Sequence, residues 1–278
     1  MPGANVRRLG PSDPAPASAQ NGLIAVISRL ASAAGFRDPP PPMLISHRHR
    51  FAFIHVPKTA GSSVAFALWP HADHVDDYWV NRGLNLVGIH VNHYAPYRLK
   101  KFRTHTPAAI LQRQLPAEVF ADLFKFAFVR NPWDLLVSSY HYLLKHQGHH
   151  RGRSARRLRS FADYAAYEIR RGKMSQSAML TGHDGRLLVD FVGRFESLAS
   201  DFDFVCRVLD LEADLPRANP TLHRDYRSFY DDRLAEAVGR FFAADADRFG
   251  YGFDDAAARP ARRHATPSVP GGRQRSAA

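Results

Sequence analysis

Cysteine is nearly missing from the sequence: Cys206 is the only one among 278 residues, so no internal disulfide can form. There is no run of 18 or more uncharged apolar residues, so no transmembrane helix is predicted. The N-terminal residues contain no apolar core of the kind that a secretory signal has. No internal repeat is visible. These absences predict a cytoplasmic protein without a membrane span.

Positive charge is in excess, because 38 Lys and Arg residues against 26 Asp and Glu residues give a formal net charge of +12. Such a charge suits an anionic small ligand, a nucleic acid or an acidic membrane surface, and does not choose among them. Apolar residues make up 45% and aromatic residues 12% of the chain, which is typical of a globular protein.

Composition divides the chain into three parts. Residues 1–42 are rich in Pro, Ala and Ser and end in a run of four prolines, so they are predicted to be disordered or weakly structured. Residues 256–278 are poor in apolar side chains and rich in Arg, Pro and Gly, which predicts a mobile basic tail. One domain is predicted between them, over residues 43–255, with ample length for a core.

Apolar strands alternate with helices in this domain. Residues 51–56, 124–129 and 187–195 are apolar runs typical of buried strands, and 86–89 is a possible short one. Helices are predicted over residues 64–69, 108–114, 116–123, 132–145, 160–171, 175–180, 197–209 and 231–249. The alternation predicts an α/β fold with a central parallel sheet flanked by helices.

The segment P-K-T-A-G-S-S, residues 57–63, connects the first strand to a helix that Ser62 or Ser63 can cap. Backbone N–H groups at a helix N-terminus carry partial positive charge and favour an anion, and Lys58 adds a cation. Gly61 has no Cβ and lets the backbone approach that anion. The residues predicted to hold the anion are Lys58, Thr59, Ala60, Gly61, Ser62 and Ser63.

Two further strand-to-helix turns are predicted, at residues 105–107 and 130–132. In the second, Asn131 is predicted to cap the helix, Pro132 to be its first residue and Asp134 to reach back to its N-terminus. In open parallel sheets, ligands bind beyond the carboxyl ends of the strands. Lys58, His105 and Arg130 are therefore predicted to face one common site.

The segment at 57–63 resembles the 5′-phosphosulfate loop of the sulfotransferases that use 3′-phosphoadenosine 5′-phosphosulfate (PAPS). It differs from the ATP-binding motif G-x-x-x-x-G-K-[ST], because Lys58 precedes Gly61. F-A-F-V-R-N-P-W-D-L-L-V-S-S-Y, residues 126–140, resembles the family's 3′-phosphate segment, which implies Arg130 and Ser138 as phosphate ligands. A guanidinium binds phosphate oxygens bidentately, and a hydroxyl two helical turns on adds a donor.

R-T-H-T-P, residues 103–107, is similar to the family segment that contains a catalytic histidine, which implies His105 as the general base. Imidazole titrates near neutral pH and suits this role. His90 and His93 are the alternative bases. G-R-F-E-S-L, residues 193–198, and D-R-F-G-Y-G-F, residues 247–253, resemble the glycan-type, family 2 branch.

The resemblance implies a P-loop-like sulfotransferase fold and transfer of the sulfuryl group of PAPS to a hydroxyl acceptor, most simply a carbohydrate. Residues 71–100 and 145–185 match the family poorly and are predicted to wall the acceptor site, and the acceptor itself stays open. Neither a metal nor a nucleic acid is expected as a partner. Two alternatives remain: a nucleotide kinase, although a Walker loop and a magnesium carboxylate are missing, and a non-catalytic nucleic-acid-binding protein, favoured only by net charge.

Overall fold

The computed structural model describes residues 43–73, 102–146, 158–216 and 224–255. Within these ranges there are four strands: β1 Leu44–Ser46, β2 Phe51–Ile54, β3 Phe124–Val129 and β4 Phe191–Arg194. They form one open sheet in the order β1-β2-β3-β4. β2, β3 and β4 are parallel, and β1 pairs antiparallel with β2. The predicted parallel α/β sheet is confirmed, with one antiparallel edge strand added.

Helices flank this sheet. Those described are α1 Gly61–Leu68, α2 Ala108–Gln114, α3 Ala117–Asp122, α4 Pro132–Lys145, α5 Phe161–Arg171, α6 Ser177–Leu180, α7 Leu198–Leu209, α8 Asp232–Phe241 and α9 Ala243–Phe249. Short 3₁₀ turns occur at Trp69–His71, Phe195–Ser197 and Tyr226–Phe229.

Alternate residues of the central strands enter two different cores. Phenylalanines of β2 and β3, such as Phe53 and Phe126, lie on one face and pack beneath α1 and α7. The rings of these two residues stack with centroids 5.3 Å apart. On the opposite face, small and aliphatic residues such as Ile54 and Ala127 pack against α2, α6 and α9. Burial on both faces explains why these strands are continuous apolar runs in the sequence.

Three sequence-based expectations need correction. No strand precedes His105 within residues 102–107, because the amide and the hydroxyl of Thr106 both donate to the Arg103 carbonyl and close a turn there. The last predicted helix, 231–249, is broken between α8 and α9 at Phe242, whose φ and ψ are −97° and 17°. Residue Leu187 bridges Thr181 instead of starting β4, so that strand is shorter than predicted.

Several expectations lie outside the described residues. They concern the short strand at 86–89, the alternative bases His90 and His93, large parts of the acceptor walls predicted at 71–100 and 145–185, and the two chain ends. They stay predictions.

Candidate active site

The loop between β2 and α1 adopts an unusual backbone conformation. Lys58 and Ala60 have φ values of 68° and 61°, in the left-handed region that non-glycine residues rarely enter. Such residues cost about 1–3 kcal/mol each and cluster at functional sites. Left-handed residues turn successive N–H groups towards one side, which makes a concave anion site. The two positive φ values are compatible with the predicted cradle, which stays a prediction.

Helix α1 begins at Gly61, three residues before the predicted start at residue 64, and neither serine caps it. Its N-cap is Ala60, whose methyl side chain cannot form a hydrogen bond, and the Ser63 and Val64 amides donate to the Ala60 carbonyl. Ser62 is exposed and Ser63 is buried. The hydroxyl of Thr59 is fully buried and donates to the Val56 carbonyl at 2.9 Å. That hydroxyl closes the loop, so Thr59 can offer an anion only its N–H group.

Gly61 is required for a reason that the sequence did not reveal. Its φ is not positive, but a Cβ at this position would lie 2.0 Å from Cδ2 of His55. The His55 imidazole therefore occupies the space that a side chain would need. Glycine here lets an aromatic ring pack directly against the start of α1.

Lys58 points from this loop towards α4. Its Nζ lies 4.0 Å from the ring centroid of Tyr142, a cation–π contact. Burial, and secondly the charge of Arg130, lower the pKa of Lys58 to about 8 from 10.5. The ammonium is therefore held where an anionic partner would stabilise its charged form.

Arg130 joins the two predicted phosphate segments. It lies at the carboxyl end of β3, is 5% exposed, and donates from Nη1 to the Lys58 carbonyl at 3.2 Å. Its Nε donates to Asp134 Oδ2 at 2.7 Å, and its guanidinium lies 3.9 Å from the ring centroid of Phe195. Asp134, expected to reach back to the helix N-terminus, pairs with Arg130 instead. The amide of Trp133 is capped by the Asn131 side chain, as Asn131 was predicted to do.

Ser138 and Ser139 are neighbours on α4 with different surroundings. Ser138 is 1% exposed, and within the described part of the chain its Oγ has no hydrogen-bond partner. Ser139 accepts a hydrogen bond from the Tyr164 hydroxyl at 2.9 Å. Buried hydroxyls are rarely left unpaired. Ser138 is therefore a candidate to bind a ligand, and Ser139 has a structural partner.

His105 reaches the same loop from another part of the chain. Its Nδ1 lies 2.9 Å from the His55 carbonyl, which can only accept, so Nδ1 carries the proton. In the neutral form of this exposed ring, Nε2 then has the lone pair that a general base needs. The ring centroids of His105 and His55 are 4.6 Å apart. Burial, and secondly His105, lower the pKa of His55 to about 3. His55 is therefore neutral and buried, whereas His105 is accessible.

A sequence model of the sulfotransferase family matches residues 41–252, about three quarters of the chain. The chain belongs to the sulfotransferase family. The match supports the family 2 type, as the motifs at 193–198 and 247–253 implied. Comparison with curated proteins and with solved structures gave no significant match.

Membership of the sulfotransferase family supports transfer of a sulfuryl group to a hydroxyl-bearing acceptor. In the described ranges, no helix is long and apolar enough to cross a membrane. The same ranges contain no group of three or more His, Cys, Asp or Glu residues arranged to hold a metal ion. The cytoplasmic location stays a prediction.

Sequence reasoning missed one group of the candidate site. The Glu196 carboxylate accepts a hydrogen bond from the backbone N–H of Asn131 at 2.6 Å and another from the Tyr251 hydroxyl at 2.9 Å. The Asn131 side chain donates to the Gly252 carbonyl at 3.0 Å. Glu196 and Tyr251 belong to the two motifs that resembled the family 2 branch, which was the available signal. These contacts fix the backbone next to Arg130, so both motifs support the candidate 3′-phosphate site.

Proposed function

We propose that the protein transfers the sulfuryl group of PAPS to a hydroxyl of a carbohydrate, with His105 as the general base. The observation that carries the proposal is the hydrogen bond between Arg130 and the Lys58 carbonyl, which joins the two anion-binding segments. The unpartnered, buried hydroxyl of Ser138 follows on α4 and fits a second phosphate. Two separate anion sites are what a nucleotide with 5′ and 3′ phosphates requires.

Lys58 and the N–H groups from Thr59 to Ser63 bind the 5′ end of the donor in this proposal. Arg130 and Ser138 bind the 3′-phosphate, since charge-assisted bonds from guanidinium and hydroxyl are well suited to phosphate oxygens. The carbohydrate acceptor is supported by the family 2 motifs, in which Glu196 and Tyr251 lie. Family membership favours neither the kinase nor the nucleic-acid-binding alternative.

The chemistry that PAPS supplies is a sulfuryl group whose bond to the 5′-phosphate oxygen breaks as the acceptor oxygen bonds to sulfur. His105 takes the acceptor proton on Nε2, because its Nδ1–H is already donated to the His55 carbonyl. Lys58 and the loop N–H groups stabilise the negative charge left on the phosphate. Stabilisation of this kind is worth about 2.7–4 kcal/mol per donor.

The two serines of α4 give a sharp test with a matched control. Adenosine 3′,5′-bisphosphate and AMP differ in the 3′-phosphate, so wild type should show the larger rise in melting temperature with the bisphosphate. Ser138→Ala should reduce this preference, with loss of a bond worth about 1.5–3 kcal/mol. Ser139→Ala removes one hydrogen-bond acceptor of Tyr164 and should lower the melting temperature without changing the preference.

Equal stabilisation of wild type by the two nucleotides would rule out a 3′-phosphate site. Equal effects of Ser138→Ala and Ser139→Ala on the preference would show that Ser138 is not its ligand. Radiolabelled PAPS with a panel of carbohydrates and simple alcohols then identifies the acceptor class. Lys58→Ala serves there as the variant expected to be inactive but folded.

A further inference from the structure

We propose that His55 is the positioning residue for the base. Its ring holds His105 in a fixed orientation relative to residues 57–63, the loop that binds the donor and is called the donor loop below. The proposal rests on the proposed function, in which His105 Nε2 takes the acceptor proton. His55 follows β2 and touches both partners, since its ring lies against Gly61 and against the imidazole of His105. One side chain thus lies between the loop that binds the donor and the group that deprotonates the acceptor.

The His55 ring is itself held firmly. It is 7% exposed and stacks on Phe53, with centroids 5.6 Å apart and an interplanar angle of 21°. Phe53 belongs to the phenylalanine core beneath α1. The Cδ2–Nε2 edge of the ring faces Gly61, where any added Cβ would overlap it. The position of this ring is therefore fixed by the sheet on one side and by the donor loop on the other.

His105, in contrast, is exposed and needs an external support. Its hydrogen bond to the His55 carbonyl fixes one ring nitrogen but leaves rotation about that bond open. The edge-to-face contact with the His55 ring, at an interplanar angle of 72°, limits this rotation. Both contacts come from the same residue. Because the carbonyl stays in any variant, substitution of the side chain tests the contribution of the ring alone.

The influence of His55 on His105 is one of shape. A buried imidazole whose pKa lies near 3 stays neutral at the pH of any ordinary assay, so it adds no charge beside the base. A flat, uncharged ring should therefore replace it. His55→Phe supplies such a ring, His55→Leu supplies comparable volume without a flat face, and His55→Ala removes both.

Turnover and donor binding are expected to separate in these variants. His55→Ala and His55→Leu should lower kcat about 10- to 100-fold, because a catalytic group misplaced by about 1 Å can cost that much. His55→Phe should stay within about threefold of wild type. The KM for PAPS and the melting-temperature rise with adenosine 3′,5′-bisphosphate should be unchanged in all three. A weakened response to this nucleotide would mean that His55 only supports the loop, and would overturn the proposal.

A double-mutant cycle with His105→Ala distinguishes this inference from the proposed function. Once His105 is absent there is no base to position, so adding His55→Ala should lower turnover by less than about twofold. The same loss in both backgrounds would overturn the positioning role. Full activity of the single variant His105→Ala would instead overturn the assignment of the base, which is a failure of the proposed function.

Nitrogen-15 NMR of histidine-labelled protein provides a readout that does not depend on activity. Wild type and His55→Phe should show His105 as the Nδ1–H tautomer. In His55→Leu, which keeps the volume and so protects folding, the His105 ring is no longer held in line with the residue-55 carbonyl, so the hydrogen bond from Nδ1 should weaken and a mixture of tautomers should appear. An unchanged Nδ1–H signal in His55→Leu would overturn the proposal.

Discussion

Nucleotide binding should be coupled to protonation of Lys58. Burial and the charge of Arg130 hold the pKa of Lys58 at about 8 in the ligand-free protein. A phosphate beside the ammonium favours its charged form and raises that pKa again. Lys58 should therefore take up a proton when adenosine 3′,5′-bisphosphate binds in alkaline buffer.

The size of the effect follows from the titration of one group. If Lys58 is fully charged in the complex, uptake should be about 0.1 proton at pH 7, about 0.5 at pH 8 and about 0.9 at pH 9. The dissociation constant should accordingly rise about fivefold between pH 8 and pH 9. The phosphates of the nucleotide contribute little at pH 8 and above, because their second pKa is about 6.

Isothermal titration calorimetry in buffers of different ionisation enthalpy measures this uptake directly. The control is Lys58→Met, which keeps an unbranched chain beside Tyr142 and has no group to titrate. Its uptake should be close to zero at every pH. Uptake that persists in Lys58→Met, or that does not increase between pH 7 and pH 9, would refute the coupling.

The same shift has a consequence for stability in the absence of nucleotide. The pKa of Lys58 is lower in the folded protein than the 10.5 of an exposed lysine, so the unfolded chain binds more protons between about pH 8 and pH 10.5. The destabilising effect of the charged lysine is complete below pH 8 and is relieved as the pH rises through this window. Lys58→Met should therefore unfold at higher temperature than wild type at pH 7, and the difference should shrink above pH 9.

Three other outcomes are expected. His105→Ala should lower kcat by a factor of about 10²–10⁴, as expected for a lost general base, whereas His93→Ala should not. A loss of activity in His93→Ala but not in His105→Ala, measured in activity assays, would identify His93 as the base. Glu196→Ala should lower the free energy of unfolding, measured by urea titration, by about 1.5–3 kcal/mol, because the backbone amide of Asn131 loses a charged acceptor. Tyr251→Phe removes only the hydrogen bond from the Tyr251 hydroxyl to Glu196 and should lower the free energy of unfolding by less. Activity should survive EDTA, because a transferred sulfuryl group carries less charge than a phosphoryl group; loss in EDTA and recovery with magnesium would contradict this.

Local signals in the sequence were sufficient for part of the site. Helix α4 has the predicted bounds, since a capping Asn131 and a proline at the first helical position act within a few residues. The apolar runs that form β2 and β3 were equally plain. Their parallel pairing then explains why Lys58 and Arg130 meet, although 72 residues separate them. The order of strands and helices along the chain is enough to predict that residues at the carboxyl ends of parallel strands lie close together.

The remaining features depend on contacts between distant residues. The need for glycine at position 61 comes from the His55 ring, which a general rule about phosphate loops does not include. The carboxylate of Asp134 forms an ion pair with Arg130 instead of bonding to the N-terminus of α4, so the position of Asp134 in the helix did not predict its partner. Strand β1 has three residues, too few for a periodic pattern. Glu196 bonds an amide 65 residues away, and no local pattern encodes such a pair.

The bond between Asn131 and the Gly252 carbonyl also sets an order of events during synthesis. The two residues are 121 positions apart, so the backbone beside Arg130 is made long before its partner exists. At about 5–20 residues per second, a ribosome needs about 6–24 s to add the intervening chain. A nascent chain can therefore complete the loop that contains Lys58 early, whereas the support for the 3′-phosphate end comes only once residue 252 has been added. Any release of the chain before residue 252 should yield a protein that cannot distinguish adenosine 3′,5′-bisphosphate from AMP.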